Sequence, residues 1–254
     1  MTAPSTLANP GHDITALLKN FRLPTAAEQM VSRLEEAGLQ DALEVVRDVL
    51  DAEREARWHR RVQRLLSQSQ LPKSKTLATY DVTRLPPKLS GKLRTLCEGR
   101  FVEEAMNILA FGLPGTGKSH AVCALGHELV QRGHSVLFVP TYRLVQNLLA
   151  AKRDLELPKA LRRLDRVDVL ILDDIGYVKQ DPDEMEVLFT LLAERYERRS
   201  VIITSNLVFS KWDQIFQNPM TTAAAIDRLV HHCSILEFDV PSYRVENRTS
   251  ESST

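Results

Sequence analysis

The residues with the clearest chemical meaning are the eight at positions 112–119, Gly-Leu-Pro-Gly-Thr-Gly-Lys-Ser. They fit the phosphate-binding pattern G-x-x-x-x-G-K-[ST] completely. Gly112, Gly115 and Gly117 permit positive φ and close backbone approach, so successive N–H groups can point at phosphate oxygens. We expect Lys118 to reach the β- and γ-phosphates and the Ser119 hydroxyl to bind Mg²⁺. The pattern therefore predicts a nucleoside triphosphate site.

A predicted strand and a predicted helix flank this loop in the order that such a site requires. Residues 107–111 form a short apolar run, and residues 119–132 are typical of a helix. Phosphates would then lie at a helix N-terminus, where backbone N–H groups favour anions. The residues expected to contact the nucleotide are Gly112, Pro114, Gly115, Thr116, Gly117, Lys118, Ser119 and His120.

Two adjacent carboxylates, Asp173 and Asp174, close a second apolar run at residues 169–172. We expect Asp173 to hold Mg²⁺, directly or through water, and Asp174 to polarise the attacking water. A third apolar run, from residue 201, ends in a polar triplet whose last member is Asn206. Ligands of open α/β sheets collect at such strand ends, so Asn206 could orient the water or contact the γ-phosphate. A turn-forming Asn is the plain alternative.

The charges of the chain are unevenly distributed. Its net charge is zero, yet residues 54–100 carry twelve Lys and Arg against three Asp and Glu. Residues 101–254 carry seventeen against twenty-one. A basic block before the phosphate loop predicts a polyanionic partner, although a solvated charged helix explains the charge equally well.

The three cysteines, Cys97, Cys123 and Cys233, are odd in number and widely spaced. They favour neither a disulfide framework nor a paired metal site, and they predict a reducing cytoplasm. No apolar run approaches the about 20 residues of a membrane span, so no membrane partner is expected. The His231-His232-Cys233 triplet is metal-like, but adjacent helical residues point apart and no other Cys or His cluster completes a tetrahedral site.

The N-terminal part is predicted to be a small helical domain. We expect helices from Asp13, from a capping box formed by Thr25 and Glu28, and over about residues 41–67. The third helix carries a basic stripe at helical spacing, formed by Arg54, Arg57, Arg61 and Arg64. The expected divisions are a disordered start (1–12), the helical domain (13–70), a linker (71–88), a nucleotide-binding domain (89–243) and a disordered tail (244–254).

Beyond residue 89, short apolar strands alternate with amphipathic helices. The strands are predicted at residues 107–111, 135–139, 167–172, 200–204 and 235–240. This alternation predicts an α/β fold in which a parallel five-stranded sheet is flanked by helices.

Together with the phosphate loop, three stretches make the sequence similar to the IstB family. They are Asp-Asp-Ile-Gly-Tyr at 173–177, the segment 196–206 and Ile-Asp-Arg-Leu-Val-His-His at 226–232. IstB proteins are AAA+ ATPases that help insertion sequences to transpose, and they are relatives of the DnaC helicase loaders. The resemblance implies an AAA+ P-loop NTPase fold with a minimal or absent C-terminal lid, and ATP and Mg²⁺ as cofactors. It also implies self-assembly on double-stranded DNA and an IstA-type transposase as partner, in the bacterial cytoplasm.

The resemblance assigns roles to individual positions. Lys118 and Ser119 match the Walker A lysine and hydroxyl, and Asp173 matches the Walker B metal ligand. Asn206 matches the first sensor, and Arg228 matches the arginine finger that acts on the nucleotide of a neighbouring subunit. These matches imply an active site that is shared between subunits.

Asp174 departs from the usual AAA+ pattern, in which the second Walker B acid is Glu. Its side chain is one methylene shorter, so the carboxylate would lie about 1.5 Å farther from the water. We therefore expect slow, Mg²⁺-dependent ATP hydrolysis. Related ATPases insert DNA-contacting helices after the second strand, which makes Lys152 and Arg153 further DNA candidates, with a charged solvent face as the alternative.

Two other functions share the same ATPase core. A helicase loader acting on single-stranded DNA would use the N-terminal helices to dock a replicative helicase instead of contacting duplex DNA. A small-molecule P-loop kinase is disfavoured because the sequence has no evident acceptor-substrate domain and because Asn206 and Arg228 would have no role in such an enzyme.

Overall fold

The computed structural model describes residues 10–177, 181–207 and 229–243. The chain divides into two compact units, Met1–Gln63 and Arg64–Thr254. This division falls inside a long helix and precedes the segment 71–88 that the sequence suggests as a linker.

The first unit is helical in its described residues. It contains α1 (Pro10–Asn20), α2 (Pro24–Glu36) and the larger part of α3 (Ala42–Gln68). Partly buried apolar side chains of α2 and α3 surround its core. The buried members of this core are Ile14, Leu18, Ala27 and Leu43.

Helix α2 begins differently from the prediction. The sequence suggests a capping box of Thr25 and Glu28, but α2 starts at Pro24, with Leu23 as N-cap and no side-chain hydrogen bond at the cap. Proline is favoured in the first turn because its missing N–H would have no intrahelical partner there. Pro24 therefore starts the second helix, and the capping-box prediction is wrong.

The second unit alternates helices and strands. Its helices are α4 (Pro87–Leu96), α5 (Arg100–Glu103), α6 (Lys118–Gln131), α7 (Thr141–Arg153), α8 (Leu157–Asp165) and α9 (Pro182–Arg195). Its strands are β1 (Asn107–Gly112), β2 (Val136–Pro140), β3 (Val169–Asp173), β4 (Ser200–Ser205) and β5 (Cys233–Phe238). Within the described ranges, no helix is both long enough and apolar enough to cross a membrane.

The five strands form one sheet in the order β2-β3-β4-β1-β5. Every neighbouring pair is parallel. The predicted five-stranded parallel sheet is therefore confirmed. The prediction misplaced β5, which pairs with β1 over its whole length and begins before residue 235. Its side chains alternate between covered and exposed positions, so the apolar run alone did not mark its start.

Helices cover both faces of the sheet. Leu170 and Leu172 of β3 belong to the main buried cluster, with Leu148 of α7 and Leu188 of α9. Ile171, between the two leucines, points to the other face, where it lies close to α6. Because β3 is covered on both sides, its sequence is a continuous apolar run that ends at the first acid.

The chain between α3 and α4 lies against α6. Leu71 is buried beside Gly126, where an added Cβ would lie 2.9 Å from the leucine side chain. The Pro72 carbonyl oxygen lies 3.1 Å from His127 Nε2. The beginning of the predicted linker is thus packed on the helix that follows the phosphate loop.

A buried arginine joins the end of α8 to the beginnings of β3 and β4. Arg195 is only 1% exposed. Its guanidinium donates to the carbonyl oxygens of Leu164 (2.8 Å), Val167 (3.0 Å), Asp168 (3.3 Å) and Ser200 (3.0 Å). Burial lowers its pKa to about 10, so the group remains charged at neutral pH.

We expect Arg195→Met to lower the free energy of unfolding by about 3 kcal/mol, because buried carbonyls lose their donors. Urea unfolding followed by circular dichroism measures this loss. Arg198→Met is the control, since Arg198 is more than half exposed and pairs with Asp165 at the surface. Its loss should stay below about 1 kcal/mol. Equal losses in the two variants would contradict the role of Arg195.

Candidate nucleotide-binding site

The phosphate loop has the backbone conformation that its glycines predict. Gly112, Gly115 and Gly117 have φ values of 154°, 85° and 93°, and α6 begins directly afterwards at Lys118. A Cβ at Gly117 would lie 3.2 Å from the hydroxyl oxygen of Tyr80, so the glycine also makes room for that ring. The loop leads into the N-terminus of a long helix, which is a favourable place for phosphate.

Lys118 lies over the loop that precedes it. Its Nζ donates to the carbonyl oxygens of Gly112 at 2.6 Å and Leu113 at 2.8 Å. The residue is 9% exposed, which is unusual for lysine. A positive charge is thus held at the beginning of the loop, where it would attract an anionic ligand.

Asp173 receives hydrogen bonds from the start of α6 and from the ends of two other strands. Its Oδ1 accepts from the Ser119 hydroxyl at 2.7 Å and from the Thr204 hydroxyl at 2.7 Å. Its backbone carbonyl accepts from the Thr141 hydroxyl, directly after β2, at 3.0 Å. Asp173 therefore lies where the carboxyl ends of β2, β3 and β4 meet the helix that follows β1.

Asp174 has a strained backbone conformation and a carboxyl group with a shifted pKa. Its φ is 60°, in the left-handed region, and its N–H donates to Thr204 Oγ1 at 2.8 Å. Burial raises the pKa of its carboxyl group, and the neighbouring charge of Asp173 raises it further. A raised pKa makes the carboxylate a better proton acceptor, as a catalytic base requires.

Asn206 lies beside Asp174 at the end of β4. The amide oxygen of Asn206 and Oδ1 of Asp174 are buried without a hydrogen-bond partner among the described residues. A Cβ at Gly176 would lie 2.5 Å from the Asn206 oxygen and 3.8 Å from that of Asp174, so both oxygens border the same glycine. Partnerless buried oxygens are costly and are more frequent at functional sites. The structure thus brings the predicted base and the predicted sensor together.

The donor set at this strand end fits Mg²⁺. The Ser119 hydroxyl and the Asp173 carboxylate are hard oxygen donors that already touch each other. The unpartnered Asp174 oxygen lies on the next residue. Such a mixture of one hydroxyl and carboxylates with room for water is how Mg²⁺ is usually bound beside phosphates.

A cleft of about 350 Å³ opens beside the phosphate loop. Its volume lies within the about 300–1,000 Å³ that small-molecule sites occupy. The loop and the beginning of α6 form one wall, residues from the segment between α3 and α4 form a second, and residues after β5 form a third. A nucleotide whose phosphates lie in the loop would have its base and sugar in this cleft.

Tyr80 and His120 pack together in this cleft. Their ring centroids are 4.9 Å apart. The His120 Nε2 lies 3.1 Å from Thr79 Oγ1 and 3.2 Å from the Thr76 carbonyl oxygen. Burial lowers the pKa of His120 and raises the pKa of Tyr80 to about 12, so both rings are neutral at pH 7. The prediction that His120 lines the site is consistent with this position.

The chain after β5 closes the far side of the cleft. The Tyr243 N–H donates to the Gly115 carbonyl oxygen at 2.9 Å. The guanidinium of Arg84 stacks over the Tyr243 ring at 4.4 Å from its centroid. Sequence reasoning missed Tyr80, Arg84 and Tyr243. No local motif marks them, and they line the site only because the fold brings them close to the phosphate loop.

Comparisons with known proteins agree with this geometry. A family model described as "IstB-like ATP binding protein" matches residues 15–251. The chain belongs to this family. An insertion sequence ATP-binding protein of Sinorhizobium fredii is 41% identical over 231 residues, which cover 90% of this chain and 78% of that protein. The insertion sequence IS21 ATP-binding protein of Pseudomonas aeruginosa is 36% identical over 239 residues, with 93% and 90% covered.

Solved structures agree on the fold. The DnaC helicase loader matches with a TM-score of 0.53 and 19% identity, over 65% of this chain and 97% of that one. At this identity the likeness concerns the fold alone, and it confirms the AAA+ P-loop NTPase fold that the sequence predicts.

The arginines of the predicted basic stripe are all exposed in this IstB-like protein. In the first unit, Arg54 pairs with Asp51 at 2.9 Å, and Arg57 pairs with Glu53 at 2.6 Å. Arg57 also stacks over the Phe21 ring at 4.2 Å. Two further members of the stripe are Arg61, in the same unit, and Arg64, in the second.

The remaining predicted site residues differ in how much the structure describes. Lys152 pairs with Asp183 at 3.0 Å and with Glu186 at 2.9 Å, so its charge is shared with α9. Arg153 is exposed at the end of α7. Arg228 lies outside the described residues.

Thr204 is a positioning residue that the sequence analysis did not single out, because its hydroxyl holds both acids. We expect Thr204→Val to lower the free energy of unfolding by about 1–3 kcal/mol, since the Asp174 N–H is left without an acceptor. Thr204→Ser keeps the hydroxyl and is the matched control, and urea titrations of both variants measure the difference. A valine variant as stable as the serine variant would show that Thr204 does not hold the acids.

Proposed function

We propose that this protein is an ATP-dependent DNA-binding helper of insertion-sequence transposition. It binds and slowly hydrolyses ATP, assembles with copies of itself on double-stranded DNA, and assists a partner transposase in choosing or preparing the target. The observation that carries the proposal is the convergence of Lys118, Ser119, Asp173, Asp174 and Asn206 at one edge of the sheet. Membership of the IstB-like family supports it.

ATP binding follows from the arrangement around the phosphate loop. The triphosphate would lie against the loop N–H groups and Lys118, whose two carbonyl contacts would give way to phosphate oxygens. The base would lie in the cleft near Tyr80 and Tyr243, whose rings offer faces for stacking. Relatives in Sinorhizobium fredii and Pseudomonas aeruginosa are named as ATP-binding proteins.

Hydrolysis would depend on the chain's own acids and amide. Asp174 would accept the proton of the attacking water, and burial favours that role by raising the pKa of its carboxyl group. Asn206 would orient the same water, since its oxygen lies beside Gly176 together with that of Asp174. Ser119 and Asp173 would hold Mg²⁺, which supplies charge neutralisation at the phosphates.

Arg228 would complete the site of a neighbouring subunit. Arginine suits this role because its permanent charge and planar donors match phosphate oxygens. In this arrangement ATP becomes part of the contact between subunits, and assembly depends on nucleotide. This role rests on the match of residues 226–232 to the family.

DNA binding would use the exposed arginines of α3. Contacts from Arg to phosphate release counterions, so binding should weaken steeply with salt. They also position a protein without reading bases, so binding should be largely indifferent to sequence. Each arginine that gives up a surface carboxylate for a DNA phosphate loses little, because exposed ion pairs are weak.

A helicase loader shares the ATPase fold, and the likeness to DnaC at 19% identity does not favour that function over the proposed one. Electron microscopy with ATP and either a linear duplex or a single strand distinguishes them. Ordered assemblies on the duplex support the transposition helper, whereas rings or filaments on single strands alone would support the loader.

We expect Asp174→Asn and Arg228→Ala each to lower the rate of ATP hydrolysis on DNA at least about 100-fold, since one loses the base and the other the transition-state charge. Both variants should still bind a fluorescent ATP analogue, whereas Lys118→Ala should not. Phosphate release and fluorescence titration measure the two properties.

Mixing the two slow variants should restore part of the hydrolysis. A mixed interface contains one intact Asp174 and one intact Arg228 from different subunits. A mixture that is shown to co-assemble and yet stays inactive at every ratio would contradict action between subunits.

We expect simultaneous Arg54→Gln, Arg57→Gln and Arg61→Gln to weaken duplex binding, because fewer DNA phosphates are then neutralised. The slope of log K against log salt should become shallower by about 0.9 for each phosphate that no longer has an arginine partner. Basal ATP hydrolysis should be unchanged because these residues belong to the first unit. A filter-binding assay over a salt series measures the affinity and the slope.

The control for this experiment is Lys19→Gln, Arg22→Gln and Arg33→Gln, which removes the same charge from exposed positions of the same unit. Its duplex affinity should fall less. If both triple variants lose affinity equally, only net charge matters and the stripe is not a DNA surface.

A further inference from the structure

Three exposed side chains with metal-binding atoms come together away from the nucleotide site. Glu197 lies in the turn between α9 and β4, and His231 and His232 lie directly before β5. One ligand atom from each residue lies within 4.8 Å of the other two. The group is at the amino ends of β4 and β5, whereas the phosphate site is at the carboxyl ends of the strands.

The two histidines are adjacent in sequence, yet their rings meet. Their centroids are 4.4 Å apart and the rings are nearly perpendicular. They can do so because the chain leaves a helical turn at His231 and enters β5 after His232. The sequence alone suggested that the two side chains diverge, and it offered no partner for them. Glu197 is the partner that the fold supplies.

Hydrogen bonds to a buried residue of β1 hold the backbone around this group. The His232 carbonyl oxygen accepts from the Asn107 N–H at 2.8 Å. The Asn107 side chain accepts from the Val201 N–H at 3.0 Å, close to the turn that carries Glu197. One buried residue therefore holds both chain segments that carry the three ligand atoms.

The surroundings also favour a cation. His231 Nδ1 lies 3.5 Å from the Tyr196 hydroxyl oxygen, a contact that would orient the ring and leave Nε2 for a metal. The neighbouring arginines are already paired, Arg198 with Asp165 at 2.6 Å and Arg199 with Asp168 at 2.7 Å. Their charges are thus largely compensated where Glu197 lies.

We propose that Glu197, His231 and His232 form a binding site for a transition-metal ion of the Zn²⁺ class. Two imidazoles and one carboxylate are a donor set typical of zinc, cobalt and nickel sites that keep water in the remaining position. In a tetrahedral zinc site, ligand atoms lie about 3.4 Å apart, so the present cluster, whose atoms lie within 4.8 Å of one another, must contract by at most about 1.4 Å. Exposed side chains can do this by changes of rotamer.

A bound ion would link the α9–β4 turn to the start of β5. It would fix the chain three residues after Arg228 in sequence. The proposed metal site is separate from the nucleotide site, because none of its ligands belongs to the phosphate loop or to the acids at the end of β3.

The test is a zinc titration of the tag-free, nucleotide-free full chain against a chromophoric chelator, with Co²⁺ absorption as a second readout. We expect one ion per chain, and a loss of affinity of at least about tenfold in each of Glu197→Gln, His231→Ala and His232→Ala. Cobalt should give the intense visible bands of a four-coordinate ion in the unaltered protein, and weaker bands in the variants.

Matched controls separate this site from other donors. Glu194→Gln and His59→Ala remove an exposed carboxylate and an exposed imidazole elsewhere. Asp173→Asn and Cys233→Ser remove a donor of the nucleotide site and the nearby thiol. All four should bind zinc as the unaltered protein does. Undiminished binding in a triple variant of the proposed ligands, or a loss in any control as large as in the ligand variants, would overturn the proposal.

Discussion

The nucleotide site depends on one carboxylate that accepts hydrogen bonds from two hydroxyl groups. Asp173 Oδ1 accepts from Ser119, at the start of α6, and from Thr204, near the end of β4. The sheet order places β4 between β1 and β3, so a residue of the middle strand can reach across to the acid of the neighbouring strand. Without this order the phosphate loop and the acids would stand at separate strand ends. The strand order is therefore as much a part of the site as the motifs are.

The nucleotide site also depends on chain segments that are far from its motifs in sequence. Tyr80 and Arg84 precede β1, and Tyr243 follows β5, yet all three border the cleft beside the loop. The contact of the Tyr243 N–H with Gly115 ties the chain after β5 to the phosphate loop itself. A ligand in this cleft would therefore contact both the segment that follows α3 and the segment that follows the sheet.

Sequence reasoning found the parts of this protein that depend on local pattern. The parallel sheet could be predicted, as could the places of the phosphate loop, both acids and Asn206 at the ends of its strands, because glycine spacing and apolar runs are properties of short segments. Sequence reasoning missed the cleft residues, the hydrogen bonds of Thr204 and the proximity of Glu197 to two histidines. Each of these depends on segments far apart in sequence, whose approach is decided by the sheet order. The false capping box at Thr25 arose because a favourable side-chain pattern competed with a proline one residue earlier.

The fold holds the two adjacent acids in different ways. Asp173 has Oδ1 hydrogen-bonded to two hydroxyl groups, which stabilises a partly buried charge. Asp174 has a left-handed backbone, a raised pKa and a buried oxygen without a protein partner among the described residues. Strain of this kind costs about 1–3 kcal/mol and persists only where the surroundings enforce it. Thr204 enforces it, because the same hydroxyl that donates to Asp173 accepts from the Asp174 N–H. Asp173, the proposed metal ligand, is thus the anchor against which Asp174, the proposed base, is held.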